Sequence, residues 1–190
     1  MNWRSLLRGL LVIVVAMGST FARAQKSPCE TSGRHASMLG ASDLTRPVLK
    51  EIQDIEERTV AIAEDFPDDL YNTYRPKGNP DVRTAAEILL HIAEQNESAA
   101  SLIRTKPQQE ALIASGKKRA AKDILTYVSK PDTVTKVKAS FMAVRKAIEE
   151  NPDPKKLEWW IYVIAHGIGH FGNLVTYYRE NGLVPPSSRQ

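Results

Sequence analysis

The sequence predicts an all-α fold, and three observations lead there. Apolar residues recur at three- and four-residue spacing over four long stretches. Capping residues, glycines and prolines punctuate those stretches at their ends. No segment alternates apolar and polar side chains as a half-buried strand does. With no internal repeat and no low-complexity tract, the expected architecture is a single-domain four-helix bundle behind an export signal. Its divisions are a signal peptide over 1–24, a lead-in over 25–41 and the bundle over 42–188.

The N-terminal segment has the build of a secretory signal. Arg4 and Arg8 form a basic start, Leu10 to Met17 an apolar centre, and Ala22-Arg23-Ala24 a small-residue cleavage site, with the cut expected after Ala24. Leu10–Met17 is far shorter than the ~20 apolar residues that span a bilayer, so the mature chain is expected in the periplasm or medium with no stable membrane anchor. The full chain carries 26 Lys+Arg against 22 Asp+Glu. The signal removes Arg4, Arg8 and Arg23 and no acid, which leaves 23 basic side chains against 22 acidic ones. A mature protein so close to neutral gives no argument for a nucleic-acid partner or an anionic membrane. Lys117-Lys118-Arg119 is a short solvated cluster. The one cysteine, Cys29, excludes an internal disulfide and lies in the polar lead-in, where nothing rigid positions it. His35 lies in the same segment.

The first helix starts near Ser42 or Asp43 and presents Val48, Ile52, Ile55, Thr59, Ile62 and Phe66 on one face. Pro47 is expected within its opening turn and Phe66-Pro67 at its end. Asp68 to Asp81 holds Pro76, Gly78 and Pro80, too many breakers for a regular element, and its Tyr71 and Tyr74 are expected to cover one end of the core. Thr84-Ala85-Ala86-Glu87 is a capping box that opens the second helix, which runs to about Ile103 with Ile88, His91, Ile92, Gln95, Ala99 and Leu102 on one face. Residues 104–129 are undecided, with short amphipathic pieces at Glu110–Ile113 and Ala120–Val128. The third helix starts between Ser129 and Asp132. Val134, Val137, Phe141, Val144 and Ile148 form its seam, and Asn151-Pro152 stops it. The fourth begins at Asp153-Pro154 and ends at Asn181-Gly182. Leu157, Trp160, Ile161, Ile164, Ile168, Phe171, Leu174, Val175 and Tyr178 make it look mostly interior.

His166 and His170 stand four residues apart on that helix, within roughly 40° and about one turn of each other. Two imidazoles so placed can grip one divalent ion, although such pairs also arise as ordinary half-buried side chains. His91, on the core-facing side of the second helix, adds a third nitrogen from a facing element, where helical bundles build metal sites. Gly167, Gly169 and Gly172 each cost about 1 kcal/mol against alanine in a helix. They imply either close helix–helix approach or room beside the histidines. Gln95, Asn173 and Tyr177 lie near enough to orient a ligand or contact substrate, with a plain helix–helix hydrogen bond the simpler role for Gln95. No serine triad, phosphate loop, carboxylate pair or cysteine-rich zinc spacing is present.

TAAEILLHIAEQN, HGIGHFGNLVTYYRENGLVPPSS and the four-helix pattern together resemble the DinB-like (damage-inducible, YfiT-like) superfamily over about Ser42–Ser188. The resemblance implies a metal triad of His91, His166 and His170 holding zinc or nickel in a four-helix bundle. It implies a metal-dependent hydrolase or transferase acting on a small molecule, and relatives that are often homodimers. Two features depart from the family: its members are usually cytoplasmic, whereas this chain carries an export signal, and glycines flank His170. Outside the cytoplasm reduced thiols are scarce, so water is the expected nucleophile rather than a thiol. The alternative is a metal- or small-molecule-binding bundle without turnover, favoured by the lack of an acid/base beside the triad. A purely structural bundle with idle histidines is the third reading.

Overall fold

The computed structural model describes residues 41–189, and their side chains from 44 onward. The expected signal peptide and the lead-in up to residue 40, with Cys29 and His35, lie outside the described residues. Among the described residues all regular structure is helical: α1 (Ala41–Asp65), α2 (Asp68–Tyr71), α3 (Ala85–Ile103), α4 (Lys106–Ala114), α5 (Ala121–Leu125), α6 (Lys130–Glu150) and α7 (Leu157–Glu180). No helix among them is long and apolar enough to cross a membrane.

The ends of the long helices follow their local chemistry. At the start of α3 the Thr84 hydroxyl accepts from the Glu87 amide while the Glu87 carboxylate accepts from the Thr84 amide, the reciprocal pair that satisfies two orphan donors. The Ser129 side chain accepts from the Asp132 amide to open α6. α7 closes on Gly182, held at φ +70°. The Leu183 amide donates to the Tyr178 carbonyl and the Gly182 amide to the Arg179 carbonyl, which caps the last turn. Three expectations change. Pro47 lies inside α1, beyond its first turn, because the helix already begins at Ala41. The breaker-rich loop still forms α2, so that Tyr71 is wholly buried against Phe66. Asp153 caps a short 3-10 turn, Pro154–Lys156, and the α-helix starts only at Leu157.

Named contacts fix the directions of the four long helices. Glu56–Arg145 (3.1 Å) and Glu64–Lys138 (2.6 Å) set α1 and α6 antiparallel. Ile55 against Gly167, and the Tyr178 hydroxyl donating to Asp65 (2.8 Å), set α1 and α7 parallel. Tyr177 meets residue 83 and Tyr162 meets Gln95, so α3 and α7 are antiparallel. α3 and α6 pack side by side and run in the same direction, with Asn96 donating to Ser140 (3.2 Å) and Arg104 to the Ala143 carbonyl (3.3 Å). Parallel neighbours need a return crossover, and residues 104–129 supply it. α4 starts from a Thr105–Gln108 capping box, Gly116 turns at φ +66°, and α5 lies back along α3 with Ile124 buried.

The core between these helices holds Ile52, Ile62, Phe66, Leu89, Phe141, Trp160 and Tyr178, all at 1% exposure or less. α7 is less interior than its composition suggests. Ile161 and Ile168 are 54% and 53% exposed, because both lie on the side of the helix turned away from α1 and α3. Leu102, expected on the inner face of α3, is 44% exposed near the helix end.

The glycines of α7 divide by role. A Cβ on Gly167 would sit 2.8 Å from Ile55 Cγ2, so this glycine permits the close approach of α1. A Cβ on Gly169 or Gly172 would meet nothing within 4 Å. Gly167→Ala is therefore expected to destabilise the protein by about 1–3 kcal/mol through overpacking. Gly169→Ala and Gly172→Ala should stabilise it by about 0.5–1 kcal/mol through helix propensity. Urea unfolding of the three variants checks the opposite signs.

Candidate metal centre

α3 and α7 carry the histidines to one place. His91 and His166 are 75 residues apart in sequence, yet their Nε2 atoms are 3.2 Å apart. Ring centroids lie 5.0 Å apart for His91–His166, 5.0 Å for His91–His170 and 4.5 Å for His166–His170. One nitrogen from each ring falls within 4.8 Å of the others, and among the described residues no carboxylate or thiol joins the group. A tetrahedral ion with bonds of about 2.0–2.1 Å spaces its ligand atoms about 3.3 Å apart, so the His91–His166 separation already fits. Nδ1 of His166 and Nδ1 of His170 are buried without a hydrogen-bond partner. The Nε2 contact between His91 and His166 thus leaves a ring nitrogen of each α7 histidine unpaired, and a buried orphan of this kind costs about 1–3 kcal/mol. The donor set and its spacing fit a divalent metal ion.

Electrostatics favours the ligating form. Burial is the main cause that lowers all three histidines below the ordinary value of 6.5, and it takes His166 down to about 4 with help from His170, His91 and Arg83. The positive charge of Arg83 bears on every one of the rings. A neutral imidazole presents a lone pair to a metal, so no proton needs to leave near neutral pH.

The seam around the histidines is fastened on both sides. The Tyr162 ring stacks on His166 (5.4 Å, 21° between planes), and its hydroxyl donates to Gln95 Oε1 at 2.7 Å. Gln95 in turn donates to Glu94, so both ends of its amide are committed to the protein. Tyr177 is buried, and its hydroxyl donates to the Arg83 carbonyl at 2.8 Å, which ties the start of α3 to α7. Asn173 is exposed on the histidine face with no hydrogen bond to the described residues. Of the three accessory residues expected from the sequence, Asn173 alone keeps a free amide.

A cavity of about 410 Å³ opens beside His91, with Arg75, Asp81, Arg83, Glu87 and Leu125 in its wall. Larger clefts, up to about 810 Å³, contain none of the three histidines. Sequence reasoning passed over two residues here. Tyr162 stands four positions before His166, and Arg83 stands eight before His91. Tyr162 has the helical spacing that places it on the histidine side, whereas Arg83 precedes the cap of α3 and no helical period points to it. No protein-family model, no curated protein and no solved structure matches this chain.

In metal-free protein His166 is expected to titrate near pH 4, last of the three, rather than near 6.5. Because the folded value lies below the unfolded one, the neutral ring contributes stability that is complete above about 6.5 and declines as the pH falls toward 4. Imidazole nitrogen chemical shifts followed by NMR check this, and a His166 midpoint at or above 6.5 contradicts it.

Proposed function

We propose that this protein is an exported member of the DinB-like four-helix bundles that binds a divalent metal, zinc or nickel, through His91, His166 and His170. On this reading it acts as a metal-dependent hydrolase or transferase on a small molecule. One observation carries the proposal: three imidazole nitrogens, drawn from two antiparallel helices, lie within 4.8 Å of one another in a pocket that keeps them neutral. Three protein ligands leave a coordination position for water or substrate, as catalytic sites do. The ion would supply Lewis acidity and lower the pKa of a bound water or thiol.

The chain's own residues do the rest. Tyr162 shields one face of His166 and fixes its ring against α3 through Gln95. Tyr177 fixes the backbone at Arg83, so the cavity wall is held to the helix that carries two of the ligands. The exposed flank at Gly169 and Asn173 leaves an approach to the histidines from solvent.

A specific observation favours the second reading, binding without turnover. The two carboxylates of α3 about one turn from His91 are occupied: Glu94 accepts from Gln95 and Ser98, and Glu87 is paired with Arg75 and caps α3. No free general acid stands in the group.

Metal analysis separates these readings from an idle histidine cluster. Purified wild-type protein is expected to retain about one ion per chain. His166→Ala and His91→Ala should retain about a tenth of that or less, with thermal melts confirming that the variants fold. A panel of esters, amides and thiol conjugates offered to the loaded protein then decides between catalysis and binding. Retention of metal without any turnover favours the binding protein.

A further inference from the structure

The cavity beside His91 contains two arginines in different circumstances. Arg75 is spent: its guanidinium makes a bidentate pair with Glu87 at 2.7 Å on both arms and also donates to the Val82 carbonyl. Arg83 makes no side-chain hydrogen bond or ion pair among the described residues, and its side chain is exposed to the cavity and solvent. Its position is nevertheless fixed, because Tyr177 holds its carbonyl on α7 and Thr84 next to it caps α3. A free guanidinium on an anchored backbone, next to a three-histidine group, is a recognition element with no protein partner to recognise.

The charge pattern points the same way. Arg83 bears electrostatically on all three histidines, whereas Asp81, in the same wall, bears on none of them. Glu87 is neutralised by Arg75. Three neutral imidazoles bring no negative charge to a divalent ion, and among the described residues no carboxylate joins their group. The rim, with Asp81, repels a highly charged ligand. One guanidinium with a planar fork therefore matches a carboxylate better than a phosphate dianion.

We infer that the cavity is an anion subsite in which Arg83 recognises a carboxylate on the substrate, and so sets which small molecules lie next to the three histidines. The inference rests on the metal-site reading for its second half: the carboxylate anchors one end of the molecule while another part reaches the ion. Its size agrees, since about 410 Å³ accommodates a small organic acid and not a polymer.

The test uses the full mature chain, wild type and Arg83→Gln and Arg83→Lys, reconstituted with cobalt(II) as the probe metal. Cobalt uptake is measured first, from the visible bands of each protein. Succinate, acetate and inorganic phosphate are then titrated by calorimetry into the cobalt-loaded and the metal-free forms. The expected result is equal cobalt uptake by all three proteins, with succinate binding at least about tenfold weaker in Arg83→Gln and partly restored in Arg83→Lys. Phosphate should bind more weakly than succinate in the wild type. Unchanged succinate affinity in Arg83→Gln overturns the subsite, and so does tighter, Arg83-dependent binding of phosphate. Failure of the wild type to take up cobalt is a separate result that removes the metal reading. In that event the metal-free titration still decides the subsite: Arg83-dependent succinate binding upholds it, and no such binding ends it.

Discussion

The antiparallel contact between α3 and α7 is the constraint on which the site depends. Two tyrosines of α7 bracket it. Tyr177 reaches the carbonyl at residue 83, before the first turn of α3, and Tyr162 reaches Gln95, three turns further along. Between those two fixed points the only pairing of α3 with α7 places His91 opposite His166 and His170. A slide of one turn, about 5.4 Å, would break both hydrogen bonds and separate the imidazoles together. Register and site geometry are thus the same quantity. The second long neighbour of α7 sets its depth: Ile55 of α1 lies where a side chain on Gly167 would be, so α7 is drawn toward α1 while its other flank stays open at Gly169 and Gly172.

This openness has an electrostatic side. Burial is deep enough to hold the rings neutral, yet the group includes no carboxylate, and the charge that bears on all three rings is the cation of Arg83. Sites that carry acids beside their histidines partly compensate a cation from within. Here any compensation comes from what enters, which makes the composition of the pocket wall as consequential as that of the ligand set.

Much of this could be read from local sequence because local rules decide it. Thr84 and Glu87 form the capping box that their spacing implies, Ser129 caps α6, Gly182 ends α7, and the helix periods bring half-buried His91, His166 and His170 into one group. What could not be read is relational. Ile161 and Ile168 look like core from their hydrophobicity, but no local pattern says which flank of α7 has a neighbour. Gly167 and Gly169 are alike as letters, and only the position of Ile55 distinguishes a packing glycine from an open one. The stretch 104–129 is short helices without a sustained apolar face, so its role as a return path between parallel partners emerges only once α3 and α6 are seen side by side. Arg83 was hidden for a simpler reason: an arginine before a helix cap reads as solvated surface until the cavity behind it is known.

The order of the helices has a kinetic implication. Those joined by the shorter links, α1 with α3 and α6 with α7, sit diagonally and scarcely touch, while the extensive interfaces join segments distant along the chain. No two consecutive long helices form an antiparallel hairpin, and the one consecutive pair that packs, α3 with α6, is parallel and closes only through α4 and α5. Packing α1 and α7 must bring together remote segments, so folding is expected to be slower than that of a bundle built from antiparallel neighbours of the same size.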